Sequence, residues 1–206
     1  FSSLINEHGI CYCLCGILGT TSVCGLYRES LEYYTSANKL FGKLGDKFGA
    51  AYSHCGIGNA LRMKGKYADS LSHFKKAIVL YKGIGDIVSR AYTLWSIAKT
   101  RMMQGKYSLS RKNLDAALKF FKKTGDRRGV VYYWMGIAEL SFLKGDKRRA
   151  SKYALSAFEE AKNMGFSVEK CHASVLLSLI DDAKTPPCYK KLGLLLDFKT
   201  IPMNIP

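Results

Sequence analysis

Apolar and small residues return along this chain at two intervals. The shorter interval is three and four residues, the spacing of one face of a helix. Tyr27, Ser30, Leu31, Tyr34, Ala37 and Leu40 make one such stripe. The longer interval is a step of 40 residues, over which whole stripes recur. Tyr12, Tyr52, Tyr92 and Tyr132 keep this step, as do Ile17, Ile57, Ile97 and Ile137. Small residues keep it too, at Ser30, Ser70, Ser110 and Ala150, and at Ala37, Ala77, Ala117 and Ala157. A period in this range identifies stacked helical units, none of which can bury its apolar face alone.

Glycines punctuate the stripes. Gly-Asp stands at 45–46, 85–86 and 125–126, and a second column runs through Gly25, Gly65, Gly105 and Gly145. Gly suits the left-handed residue that ends a helix, and Asp is a good N-cap for the next one. Each Gly-Asp pair therefore closes one helix and opens another. The expected fold is all-α, with four helix hairpins at about residues 4–44, 45–84, 85–124 and 125–164. Phe166 replaces the Asp at the next junction, and Ser167 is expected to take over as N-cap. A helix over 166–183 then caps the solenoid of residues 1–184. Thr185-Pro186-Pro187 stops it, leaving a Leu-rich tail over 185–206, docked on the solenoid or on a partner.

Composition changes this picture in two places. Lys and Arg number 32 against 16 Asp and Glu, a formal charge of +16, which points to acidic partners. Part of the excess has a plainer cause: Lys43, Lys82, Lys122, Lys123 and Lys162 precede closing glycines, where a helix C-terminus favours cations. The seven cysteines are odd in number and lack the spacing of a disulfide framework. They read as reduced thiols at apolar helical positions, with a cytoplasmic location. No secretory signal is evident, and the chain reads as a piece of something longer. Residues 9–27 carry no charge, but every column of the repeat passes through them, which favours a first helix over a membrane span. Cys11, Cys13 and Cys15 do not share one helix face, and no second ligand pair lies near them, so no metal site is expected. Nor is any cofactor: no phosphate loop or dinucleotide fingerprint occurs, and His8, His54, His73 and His172 lie in different units or faces.

Counted from Ala51, the run Ile57-Gly58, Leu61, Gly65, Tyr67, Ser70, Phe74, Ala77 resembles the tetratricopeptide repeat. Trp134 matches that motif's first bulky position. Ala98 and Ala138 depart from it at Gly58, and Leu114 and Ala154 depart from it at Phe74. The step of 40 rather than 34 residues resembles the long-repeat branch that includes kinesin light chain, the Pins-type adaptors and the MalT-type regulators. What the resemblance implies is a right-handed superhelix, first (A) helices lining its concave face and second (B) helices its outside. It also implies a non-catalytic scaffold that binds a peptide or partner helix in the groove.

On that plan His54, Leu94 and Trp134 are core positions. Tyr52, Tyr92 and Tyr132 face the groove, with Cys55, Trp95 and Met135, then Asn59, Lys99 and Glu139. The tyrosines offer apolar area with a polar tip, as binding surfaces favour, or else pack between adjacent A helices. Asn59 could hold a ligand's backbone amide, and Arg62, Lys99 and Arg101 could pair with acidic groups on a ligand. The Lys/Asn/Arg clamp of tetratricopeptide co-chaperones is matched only at Asn59, with Cys55 where that clamp has Lys, so a chaperone clamp is disfavoured. Two alternatives to the peptide-binding adaptor remain. One is a basic nucleic-acid-binding repeat protein, disfavoured because no polar code repeats from unit to unit. The other is a structural module that self-associates through the solenoid ends.

Overall fold

The computed structural model of the chain describes residue 9 and residues 26–205. The expected first helix, the uncharged stretch and the Cys11, Cys13, Cys15 cluster lie outside the described residues, apart from residues 9, 26 and 27. Regular structure among the described residues is helical. The helices are α1 (Tyr27–Leu44), α2 (Lys47–Met63), α3 (Tyr67–Ile84), α4 (Ile87–Met103), α5 (Tyr107–Thr124), α6 (Arg127–Leu143), α7 (Lys147–Asn163), α8 (Ser167–Ile180) and the short α9 (Cys188–Lys191). None is long and apolar enough to cross a membrane.

The junctions follow from backbone chemistry. At Gly45 the chain turns left-handed with φ 70°, and the Asp46 amide donates back to the Phe41 carbonyl at 3.0 Å, which closes α1. The Asp46 carboxylate then accepts from the Gly49 amide at 2.8 Å and opens α2. Asp86 and Asp126 do the same for Ser89 and Gly129. Asp146, after the other glycine column, caps α7 through the Arg149 amide. Ser167 does not follow suit. The residue before α8 is Phe166, which offers no side-chain cap, and Ser167 is already helical.

The chain forms two compact units that divide within α4, one ending at Ser96 and one covering Ile97–Ile205. In the first, α2 packs between α1 and α3. In the second, α5, α6, α7 and α8 pack each on the next, and α9 sits on α8. The packing is large against small. The Phe41 ring occupies the space a Cβ on Gly49 would need, and Phe121 does the same over Gly129. At the equivalent place Tyr81 meets Ser89 and hydrogen-bonds to it. Both phenylalanines are fully buried, each contributing about 2 kcal/mol of apolar burial. Phe74 likewise fills the Cβ space of Gly58. That explains the paired departures one and two repeats on: where Gly58 becomes Ala98 and Ala138, Phe74 shrinks to Leu114 and Ala154. The serine column also has a bond to make. The Ser70 hydroxyl donates to the Gly58 carbonyl at 2.7 Å, and Ser110 to that of Ala98 at 2.8 Å.

The reading of the cysteines is also overturned. Cys171 and Cys188, read as reduced thiols, form a disulfide with Cα atoms 5.7 Å apart. The stop at Pro186-Pro187 turns the chain so that α9 meets α8, and the cysteines meet across that turn. Closing a loop of this length contributes about 3 kcal/mol in the chain-entropy view. Among the described residues Cys55 is a free thiol.

Candidate functional site

In the first unit the A-helix face is aromatic at its N-terminal end. Phe48 and Tyr52, one helical turn apart on α2, are both about two-fifths exposed, and their rings stack with centroids 6.4 Å apart and planes 18° apart. Tyr52 also meets the Tyr34 ring of α1 at 6.2 Å, and Phe48 meets Tyr81 of α3 at 6.1 Å. Tyr92 is half-buried and Trp95 buried. Asn59, half-buried, accepts from the guanidinium of the fully buried Arg62 at 3.3 Å. Cys55 lies 3.0 Å from the Thr93 hydroxyl. Burial pushes its thiol up to about 11, against hydrogen bonds from Thr93 and Tyr81 that pull the other way. It is no nucleophile at neutral pH.

His54, expected in the core, is half-buried on α2 and pairs with His73 of α3, their Nδ1 atoms 3.1 Å apart. Burial, with His73 and Lys76 adding to it, lowers His54 to about 4. Burial lowers His73 as well, so both rings of the pair favour the neutral form. An open hollow beside it is lined by Lys75, Lys76, Val79 and Leu80.

The second unit builds a different face. Lys99 of α4 and Glu139 of α6, both expected to face a groove, are fully buried and form an ion pair with each other. The other Glu139 oxygen accepts the backbone amide of Met203 at 2.8 Å. Met203 is fully buried, and Ile205 is 4% exposed. The tail therefore lies on this face. Tyr132 is half-buried, and its hydroxyl donates to the Glu169 carboxylate at 3.3 Å. Arg128 reaches the same oxygen at 3.2 Å and covers the Phe166 ring. Met135, also expected at the groove, is buried.

Behind the ion pair stands His172 of α8, 2% exposed, its Nδ1 2.6 Å from the Tyr189 hydroxyl of α9. Burial, helped by the charge of Lys99, lowers His172 to about 4, and burial raises the Tyr189 phenol. Phe198 of the tail packs edge-on to both rings, at 6.3 Å and 5.8 Å.

Sequence reasoning missed the tail's part here: Met203, Phe198 and Tyr189 lie beyond the repeats, and His172 stands one step past Tyr132 in the tyrosine column, where the aromatic residue changes type. One signal was available. Lys99 and Glu139 hold the same repeat position with opposite charge, and that position places adjacent A helices side by side.

No known family's sequence profile matches the chain, and no curated protein does. Solved structures do. Aspartyl phosphate phosphatase F from Bacillus subtilis superposes with a TM-score of 0.71 at 14% identity, over 90% of this chain and 48% of that one. A signal-transduction ATPase with a tetratricopeptide repeat sensor, from Pyrococcus horikoshii, gives 0.67 at 15%, over 91% of this chain and 30% of that one. Nearly identical TPR-like repeats named for kinesin light chain, from Podosopora anserina, give 0.55 at 12%, over 93% and 88%. The chain spans about half of the first protein's length and about a third of the second's. Likeness at these identities speaks for the fold, and it agrees with the helix pairing and the capped glycine turns: the chain is built of tetratricopeptide-repeat-like helix hairpins.

Proposed function

We propose that the chain is a non-catalytic protein-interaction scaffold that receives a peptide or a partner's helix on its A-helix faces. The observation that carries this is the exposed Phe48–Tyr52 stack on α2. Exposed aromatic pairs on a rigid helix supply contact area at low entropic cost, which is what binding surfaces use. Tyr52, Tyr92 and Asn59 are the contacts in the first unit, and Tyr132 and Glu139 those in the second. Arg62, Trp95 and Lys99 are buried and brace the faces from behind. The formal charge of +16, with exposed Lys75, Lys76, Arg148 and Arg149, favours a partner with acidic groups. In the cytoplasm, where this reading places the chain, the Cys171–Cys188 bond would be open to reduction.

The test is affinity capture with Phe48→Ser/Tyr52→Ala against the unaltered chain, with helical circular dichroism as the control for folding. Loss of the captured partner with the helix signal intact is the expected result. Undiminished capture counts against the aromatic face. Capture of RNA that falls away steeply with salt supports the nucleic-acid alternative instead.

A further inference from the structure

The tail ends on a recognition face rather than in a core of its own. Tyr189 is buried and its neighbour Cys188 is bonded to α8. Residues 193–198 then bow away. Leu195 is 76% exposed, and an open hollow of about 690 Å³ lies against this stretch, lined also by Val175, Pro187 and Tyr189. Phe198 touches down on His172, Lys199 and Thr200 are exposed, and Met203 and Ile205 bury themselves again. The segment is non-helical throughout. It is a strap held at separate points, with solvent along much of its length.

The contact at its far end is made by main chain. The Met203 amide donates to a Glu139 oxygen whose partner oxygen is held by Lys99. A carboxylate with one oxygen held by a buried ammonium keeps an acceptor on the other for a correctly placed backbone N–H. That is how a groove holds an irregular or extended peptide without reading its sequence, the flanking side chains supplying the selectivity.

We propose that residues 199–205 are an internal ligand of the second unit. They occupy the face formed around Glu139, and a partner gains that face by displacing them. The partner segment it fits is non-helical and apolar. It presents one free backbone N–H to Glu139, with an unbranched residue of methionine size there and an aliphatic residue two places on. This rests on the scaffold reading above and adds that the face is guarded. A tethered occupant lowers the apparent affinity for any competitor by the fraction of time the face is empty.

The test uses the full chain and a fluorescent synthetic peptide of residues 199–206. Met203→Asp puts a charge where a fully buried apolar side chain sits and is expected to eject the strap. Ile205→Asp is a second, milder version. Hydrogen exchange at residue 203 reports whether the strap has left, and circular dichroism reports whether the helices remain. Both variants are expected to lose protection at residue 203, keep their helices and bind the peptide about tenfold or more tighter than the unaltered chain does. Equal binding by all three chains overturns the proposal. So does a freed strap with no peptide binding, which makes the tail a fixed cap. Loss of the helices in both variants, or protection that persists in both, overturns it as well. The probe needs no natural partner, so failure here is distinct from failure of the Phe48 and Tyr52 test.

Discussion

Asn59 on α2 and Glu139 on α6 stand at the same place in the repeat, two repeats apart, and their surroundings differ. Asn59 is half-buried and accepts one long hydrogen bond from Arg62, its neighbour on the same helix. Glu139 is sealed from solvent, paired to Lys99 one repeat back and bonded to a backbone amide from the far end of the chain. The repeat fixes where a side chain points, while what it meets there depends on which other segment arrives. In the first unit that position keeps some solvent, and in the second it is enclosed. A buried ion pair is costly to assemble and far costlier to break on one side.

The sharpest way to break this comparison is to remove one partner in each unit. Glu139→Ala deprives Lys99 of its carboxylate and is expected to cost about 3–5 kcal/mol in urea unfolding. Asn59→Ala should cost about 1 kcal/mol or less. Replacing both members of the ion pair, as Lys99→Met with Glu139→Leu, should recover most of the loss. Equal costs for Glu139→Ala and Asn59→Ala would mean that the two positions are alike in energy whatever their burial.

Next in size is a dependence on pH. Unfolded His172 protonates near its ordinary 6.5, but burial and Lys99 hold the folded group near 4. Between those values the unfolded chain binds the extra proton. Stability is therefore full above 6.5 and falls as the pH drops towards 4, by at most about 3 kcal/mol. Facing His172 are Lys99, the Tyr132 ring and the Tyr189 hydroxyl, so no carboxylate in direct contact offsets the shift. His172→Gln should flatten the urea midpoint over that range. His54 of the first unit is also lowered to about 4, yet it is half-buried, and its contribution should be the smaller of the two. A midpoint curve unchanged by His172→Gln sinks this attribution.

The scaffold was legible in the sequence because it is periodic. Gly45, Asp46 and Ser70 each solve a problem that recurs from hairpin to hairpin, so the answer appears at a fixed step. The second unit's face was not legible, because Met203 reaches Glu139 across 64 residues and belongs to no column. The disulfide escaped for the same reason: Cys171 and Cys188 are brought together by a turn at Pro186-Pro187 that occurs once. Trp95 and Lys99 were placed by register on the inner face, but register says nothing of what covers them. The half-visible case is Lys99 with Glu139, where opposite charge at one repeat position already names the pair.

Where the two units share a device, they should respond alike, and that sharpens the contrast by controlling for it. A Cβ on Gly49 would come within 2.2 Å of the Phe41 ring, and one on Gly129 within 2.1 Å of Phe121. Either glycine changed to Ala is expected to cost about 1–3 kcal/mol through overpacking. Phe121→Leu should relieve part of the cost of Gly129→Ala, as the smaller partner does naturally for Ala98. Costs that differ widely between Gly49→Ala and Gly129→Ala would show that the second unit is stiffer throughout, and the Glu139 result would then owe less to the ion pair.

The smallest effect belongs to the serine column, and it tests how far the repeats are interchangeable. Ser70 and Ser110 are both fully buried and donate to carbonyls of the preceding A helix at nearly equal lengths. The fourth member of the column is already Ala150, buried on α7 with no hydroxyl to give. The carbonyl each serine caps lies inside a helix and keeps its backbone acceptor bond, so losing the hydroxyl strips a second bond and leaves no orphan. Ser70→Ala and Ser110→Ala should therefore each cost only about 1 kcal/mol, equally in both units. The converse change, Ala150→Ser, should be close to neutral if the Ala138 carbonyl presents the same acceptor. A loss of several kcal/mol from Ser110→Ala alone would place that hydroxyl among the groups that set the second unit apart, and the difference between the units could no longer be assigned to Lys99, Glu139 and the tail.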